Sequence, residues 1–435
     1  MSQSLRQLFV SMEDDTVNET DLVVSPDDTV EQEIAETAEA FSESEQAGDD
    51  QGELEEISDG LESIFVSMEA AMQDGGLNPQ AALFMQHAVG SYTSRLGLKV
   101  SAVTPSLESF GGASGQAAAT TISMEGIKET IKKIWQAIKN AVAKAIAAVK
   151  NFFAKIFGGA KKLKSRIEAL KGKTGEAVDY QGKKVKVTGG ESIAYKGKVD
   201  GASVSQGLGV LGELVQESWS ELAPAAEKYY AAMGAVLADP KTQAALEESA
   251  ISSAVESADG MFSTVAGKIT SRSKEAAGGW YFSASAEGGA AGDDDSKGTL
   301  TLARKKPSIN EGAEIDCPGP NTLRDILGHC STIVETLLAK GSYMDKLNTA
   351  REKAVQTTEK FVNAAETGKL GKAWSNATVN RGLRKATKDL TRPLLQVNNA
   401  GFSAVRSALA LVERSIAAAG KSEKKDDKKK DGDKK

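Results

Sequence analysis

Residues 126–157 read GIKETIKKIWQAIKNAVAKAIAAVKNFFAKIF. Their apolar positions, Ile127, Ile131, Ile134, Ile138, Val142, Ala145, Val149, Phe153 and Ile156, follow one another at steps of three and four. That is the spacing of one face of an α-helix. Lys133, Lys144 and Lys155 recur every eleven residues, which holds them together on one face. Over 126–171 there are 12 Lys and Arg against Glu129 and Glu168. The pattern predicts a long basic amphipathic helix, stopped at Gly158-Gly159. Three uses of it stay open. It could be a core or bundle helix with a solvated lysine face. It could meet phosphates through Lys128, Lys132, Lys133, Lys139, Lys144, Lys150 and Lys155. Or it could lie in a membrane interface, with Trp135, Phe152, Phe153 and Phe157 entering lipid.

The charge changes sign where this helix begins. Residues 1–125 hold 24 acids and three bases (Arg6, Arg95, Lys99), a net of −21. Residues 126–435 hold 36 acids and 50 bases, a net of +14, and together they give the −7 of the 435-residue chain. Two parts so opposed face different partners, or each other. Residues 13–62 are rich in Glu, Asp, Ser and Thr and poor in aromatics, so disorder is the expectation there, with helical patches around 28–47 and 54–73. The small residues of 100–122 predict a flexible linker. The acidic leader 1–125 is therefore expected to be largely disordered.

Beyond the basic helix, taken as 126–172, residues 173–310 predict mixed helices with two β-hairpins. One is centred on Gly189-Gly190 and uses Val185, Val187, Ile193 and Tyr195. The other joins Trp280-Tyr281-Phe282 to Thr299-Leu300-Thr301-Leu302. Between them 208–276 has a helical pattern, broken at Pro224 and Pro240. Region 311–420 is helical, over 321–340 with a stripe of Leu323, Ile326, Leu327, Cys330, Val334 and Leu337, over 345–366, and over 394–418 with Phe402, Val405, Leu409, Val412 and Ile416, and 421–435 is a charged tail expected to be disordered. The fold class is mainly α: a helical body with one or two small β-hairpins behind a disordered acidic segment.

Composition excludes much chemistry. Two cysteines make no disulfide framework, and two histidines argue against multi-His metal sites and His-dependent catalysis. No apolar run reaches membrane-spanning length, and the first residues do not form a secretory signal. Gly207-Leu208-Gly209-Val210-Leu211-Gly212 fits GxGxxG but follows no apolar strand, so it reads as a glycine-rich helix start. For Cys317, His329 and Cys330 a buried Cys330 is preferred to a metal site, and Asp293-Asp294-Asp295 reads as a solvated hairpin tip. There are no paired carboxylates, no nucleophile beside a base and no phosphate loop. No enzymatic activity and no cofactor is predicted.

One tripeptide recurs three times: Ser11-Met12-Glu13, Ser67-Met68-Glu69 and Ser123-Met124-Glu125. The first two copies extend to LRQLFVSME (Leu5 to Glu13) and LESIFVSME (Leu61 to Glu69). All three lie in the acidic part, and the last ends at Gly126. A protease reads an extended segment through pockets for particular side chains, and a small residue, a spacer and an acid supply such a pattern. A repeated docking turn is the plain alternative.

This layout resembles the internal head proteins of large tailed bacteriophages, especially those of the phiKZ type. The resemblance covers the leader and the start of the basic body behind it. It implies a propeptide removed by a prohead protease after Glu13, Glu69 and Glu125. Ser11, Ser67 and Ser123 would fill one pocket, the three glutamates the pocket beside the scissile bond. Gly60-Leu61-Glu62, Ser106-Leu107-Glu108 and Ala245-Leu246-Glu247 fit the looser pattern too. The implied function is a virion protein packaged inside the capsid and made in the host cytoplasm. Its partners would be the protease, capsid or core proteins and genomic DNA bound without sequence preference, and it could leave with the genome. Two alternatives stand beside it: a membrane-active effector held inactive by its acidic segment, with the host membrane as partner, and an uncleaved scaffold protein.

Overall fold

The computed structural model describes residues 30–174, 180–238, 260, 263–285, 299–309, 313–339, 341–366 and 391–420. Helix α1 runs Val30–Gln73, α2 Pro79–Arg95 and α3 Ala113–Lys173. After them come β1 (Lys184–Lys186), the short α4 (Gly190–Ile193) and α5 (Gly201–Glu217). A π-helical turn, Ser218–Leu222, joins α5 to α6 (Ala223–Ala238). Strands β2 (Trp280–Ser285), β3 (Thr299–Arg304) and β4 (Glu314–Asp316) precede α7 (Pro320–Ala339), α8 (Gly341–Glu366) and α9 (Arg392–Ala419). The chain is mainly helical with two small antiparallel two-stranded sheets, as its pattern predicts.

Helix α3 is the spine. Its 61 residues give a contour of about 90 Å at 1.5 Å per residue. It starts at Ala113, inside the expected linker, and runs through Gly158-Gly159 without stopping. Glycine lacks the Cβ that would block close packing, and here that is its use. A Cβ on Gly159 would fall 2.4 Å from the Phe402 ring of α9. Gly126 is tighter still: a Cβ there would sit 2.0 Å from the carbonyl oxygen of Val103.

Two apolar clusters lie along the spine. One is built wholly from residues between Leu54 and Ile146. In it Leu54, Ile57, Leu61 and Met68 of α1 and Met85 and Val89 of α2 pack on Ile127, Ile134, Ile138 and Val142 of α3. Residues 54–125 are thus packed, where composition suggests a largely disordered leader. The steps 54, 57, 61 and 68 give α1 its own apolar stripe, so its acids need only occupy the other sides. Residues 1–29 lie outside the described residues.

The second cluster gathers the rest of α3 with α5, α6, α7 and α9. Phe152 and Phe153 sit in it, edge-to-face at 5.2 Å, with Phe153 6.0 Å from Trp219. The Trp219 indole donates a 2.9 Å hydrogen bond to the buried Asn398 of α9. On α7 the buried residues are Leu323, Ile326, Leu327, Cys330, Ile333, Val334 and Leu337, six of them in the predicted stripe. The GxGxxG glycines lie inside α5, not at its start. Gly207 abuts Tyr195 and Gly209 abuts His329, so their smallness serves helix packing. The helix break expected at Pro224 is absent, since the π turn leads directly into α6.

The hairpin at 280–304 forms, pairing Trp280 with Arg304 and Ser285 with Thr299. The hairpin expected at 183–199 does not. Strand β1 pairs instead with the distant β4, Val185 opposite Ile315, while 190–193 coils into α4. Alternation marked the strand correctly and carried no information about its partner. The expected charged tail, 421–435, and the Asp293-Asp294-Asp295 loop lie outside the described residues.

One polar group interrupts the first cluster. Glu62 of α1 is 2% exposed, and its carboxyl accepts from Ser58 Oγ at 3.2 Å. Its Oε2 has no hydrogen-bond partner, and the Trp135 indole of α3 faces it without reaching hydrogen-bond geometry. Burial, and then the charge of Asp59, push the carboxyl well above the usual carboxylate range. The folded protein therefore keeps a proton that the unfolded chain gives up above about pH 4.3. Stability from this group is present at low pH and falls as pH rises toward the folded value. Glu62→Gln, neutral at every pH, should raise the denaturation midpoint at pH 7 and flatten its pH dependence above about pH 5. An unchanged midpoint and slope would refute this account.

The glycines give a paired expectation. Gly126→Ala should cost about 1–3 kcal/mol, since the Val103 backbone must move. Gly158→Ala, on an exposed turn with nothing within 4 Å, should gain about 0.5–1 kcal/mol. Guanidinium unfolding of the two variants measures both.

Candidate functional site

The structure brings two of the three tripeptides together. Copy two lies one turn before the end of α1, and copy three lies well inside α3. The two helices make the most extensive helix pair of the molecule, and the copies form the walls of one groove at their crossing. The groove has a volume of about 730 Å³ and is lined by Phe65, Val66, Glu69, Met124, Glu125 and Lys128, among others. The first copy, Ser11-Met12-Glu13, lies outside the described residues.

The walls differ in access. In copy two Ser67 is exposed, its hydroxyl donating to Ser63 O at 3.0 Å, and Ala70 beyond the expected scissile bond is exposed. Met68 is buried in the first cluster and anchors the copy to it. Glu69 is half-buried, and desolvation raises its carboxyl above the usual range. Gln73 ends the helix, and Gly75 and Gly76 follow in left-handed conformations.

In copy three Ser123 is fully buried, and its hydroxyl donates to Ala119 O at 2.9 Å. Met124 is half-buried, and only Glu125 of the copy is exposed. The Gly126 carbonyl accepts from Thr130 Oγ1 at 2.8 Å, while Val103 closes over Gly126 from outside. A protease that reads extended backbone finds neither bond in that form, and the second far less so than the first. The helical state of both copies left no mark in the tripeptide itself. The signal was the flanking periodicity, which joins Ile127 back to Ser123 and Ala119 at steps of four.

The predicted contact residues divide sharply. Lys128, Lys132, Lys133, Lys144 and Lys150 are exposed, and Lys139 and Lys155 are half-buried. Lys150 pairs with Glu352 at 3.4 Å, and Lys132 with Glu129 at 3.5 Å. Trp135, Phe152 and Phe153 are all buried, so in this form none of them can meet DNA or lipid. The apolar stripe is inside because α1, α2 and the second cluster occupy it.

Ion pairs between leader and body do exist. Glu45 and Asp49 of α1 hold Arg392 of α9 at 3.3 and 2.9 Å. Gln51 accepts from Arg351 of α8. The partly exposed Arg392 pairs contribute about 0–1 kcal/mol each, and the buried Gln51–Arg351 hydrogen bond about 1.5–3 kcal/mol. Each buried Leu, Ile or Met of α1 contributes about 1.5–3 kcal/mol. Apolar cover, not charge, therefore dominates the hold of the leader on the body.

Among the described residues no group of His, Cys, Asp and Glu is arranged to hold a metal, and no helix is long and apolar enough to cross a membrane. Cys330 is fully buried, which pushes its thiol up to about 12. No curated protein and no solved structure matches the chain. A family model does, over residues 17–414, nearly the whole length, including both helical walls of the groove and the basic spine: the chain belongs to the phiKZ-like phage internal head proteins.

Proposed function

We propose that this internal head protein is made with a leader that the prohead protease removes by cutting after Glu13, Glu69 and Glu125. The mature part, from Gly126, then contacts packaged DNA or the inner capsid without base readout and leaves the capsid with the genome. The observation that carries this reading is the threefold tripeptide, whose last copy ends where a net of −21 gives way to a net of +14. A second consequence of removal comes from the packing. The lysines of α3 are already exposed while the leader is docked, so the leader lowers the potential of the whole chain instead of covering those side chains. What it covers is the apolar side of α3 from Ile127 to Ile146.

Removal would therefore raise the positive potential around an already exposed lysine face and uncover an apolar face at once. That second face favours one further reading, in which the mature helix enters a membrane interface. Its Ile127, Ile134, Ile138 and Val142 rest on leader residues in the intact chain.

Mass spectrometry of purified particles tests the main proposal. A peptide beginning at Gly126 is the expected result, and particles holding only intact chain would end it. Matured protein recovered from particles should leak anionic vesicles, and full-length protein should not. If the matured protein leaves the vesicles sealed, the membrane reading falls and DNA contact stands alone. In that case binding should drop steeply between about 50 and 200 mM salt, on the order of 10³-fold for about six phosphate contacts.

A further inference from the structure

We infer that the two described tripeptides are cut in a fixed order, the bond after Glu69 first, and that the fold withholds the bond after Glu125 until the first has been cut. The inference rests on the processing reading above and adds its sequence of events.

The two bonds differ in what must move before each can open. The Glu69–Ala70 bond lies four residues from a helix end that runs into two left-handed glycines. Helix ends fray, and presenting this bond needs only the last turns of α1 unwound and Met68 withdrawn from the cluster, a smaller opening than the second bond requires. The Glu125–Gly126 bond lies twelve residues from the start of α3 and far from its end. Opening it means withdrawing Ser123 from full burial and lifting Val103 off Gly126. Val103 belongs to the apolar cluster with Phe110, Leu96 and the α1 residues. The second bond therefore opens only when that cluster comes apart.

The first cut loosens that cluster in two ways. Hydrolysis adds one water across the amide, leaving a carboxylate on Glu69 and an ammonium group on Ala70. The cut also removes the short link that holds α1 beside α2 and α3. Leu54, Ile57, Leu61 and Met68 are then retained by packing without that covalent tether, and their effective concentration falls. The new carboxylate appears in a groove that already holds the carboxyls of Glu69 and Glu125. Two new charged ends, this carboxylate and the Ala70 ammonium, lose hydration in a partly desolvated groove, which favours departure of the α1 fragment. With α1 gone, its half of the cluster is missing, and 113–126 can unwind into a protease cleft.

Of the looser matches one fits the same scheme, whereas Ser106 and Glu108 are exposed on a 3-10 turn and Ala245-Leu246-Glu247 lies outside the described residues. Glu62, in Gly60-Leu61-Glu62, is buried on α1 with Leu61 and is withheld while α1 is docked.

The test uses the purified full-length chain with the prohead protease of the same phage, following each new terminus by mass spectrometry over time. Wild-type chain should show the Ala70 terminus first and the Gly126 terminus after a lag. Glu69→Gln should slow the cut after Glu125 by about tenfold or more, because cleavage tracks the population of the opened state. Glu125→Gln should leave the cut after Glu69 at its normal rate. Adding Phe110→Ala to Glu69→Gln empties part of the cover and should restore much of the cut after Glu125. Urea below the unfolding midpoint should abolish the lag in wild type. A Glu69→Gln chain cut after Glu125 at the wild-type rate, or a Gly126 terminus that appears first, would overturn the order while leaving the processing reading intact. No cut after Glu69 or Glu125 in the wild-type chain would overturn both.

Discussion

The seam between α1 and α3 governs the rest of the molecule. Leu54, Ile57, Leu61 and Met68 come from the acidic side of the Glu125–Gly126 bond, and Ile127, Ile134, Ile138 and Val142 from the basic side. Neither row is buried without the other. A helix of about 90 Å with an apolar stripe along much of its length needs cover along that stripe. The helices of the body supply it beyond Val149, and the leader supplies it before Ile146. The leader is in this sense a structural part of the intact chain, however briefly the chain remains intact.

That arrangement changes how the charge asymmetry is understood. From charge alone, an acidic segment lying on a basic one is the natural picture. The structure places most lysines of α3 on the solvent side and leaves Glu39, Glu43, Asp49 and Glu56 of α1 exposed to water. Ion pairs from α1 run to Arg392, at the far end of the sequence, and to Arg95 within the leader itself. Opposite charge still acts, through the field of the whole chain and its on-rate for polyanions, but it falls off over about 10 Å in salt. Apolar contact sets where the leader sits.

How much of this was legible in the sequence depended on whether the cause was local. The stripes of α3, α7 and α9 were legible because periodicity is written along one segment, and on α7 the buried set holds all six expected residues and adds Ile333. The 280–304 hairpin was legible for the same reason. What failed was decided by distant residues. Gly158-Gly159 looks like a stop, yet Phe402 of α9 fills the space that the missing Gly159 side chain leaves. Val185 looks like half of a hairpin, yet its partner is Ile315. The acidic composition of α1 argued for disorder, yet four residues at helical spacing suffice when α3 offers a matching face. At the site, the tripeptide marked its three positions and said nothing of their burial, which for the last copy Val103 and Ala119 determine.

On the proposed processing reading, a signal that is buried by its own fold serves a different purpose from one carried on an exposed loop. Sites in a loop are cut whenever protease is present. Sites inside a packed seam are cut at a rate set by how often the seam opens, so the stability of the leader becomes a timer. Each feature that tightens the seam, such as Val103 on Gly126, slows that timer, and each that loosens it, such as the half-satisfied Glu62 carboxyl beside Trp135, quickens it. A buried acid at this position costs stability that a leucine would not, and that cost falls at the interface where the leader must eventually let go. The weakness in the seam is thus local, and it lies between the two stretches of sequence that maturation would separate.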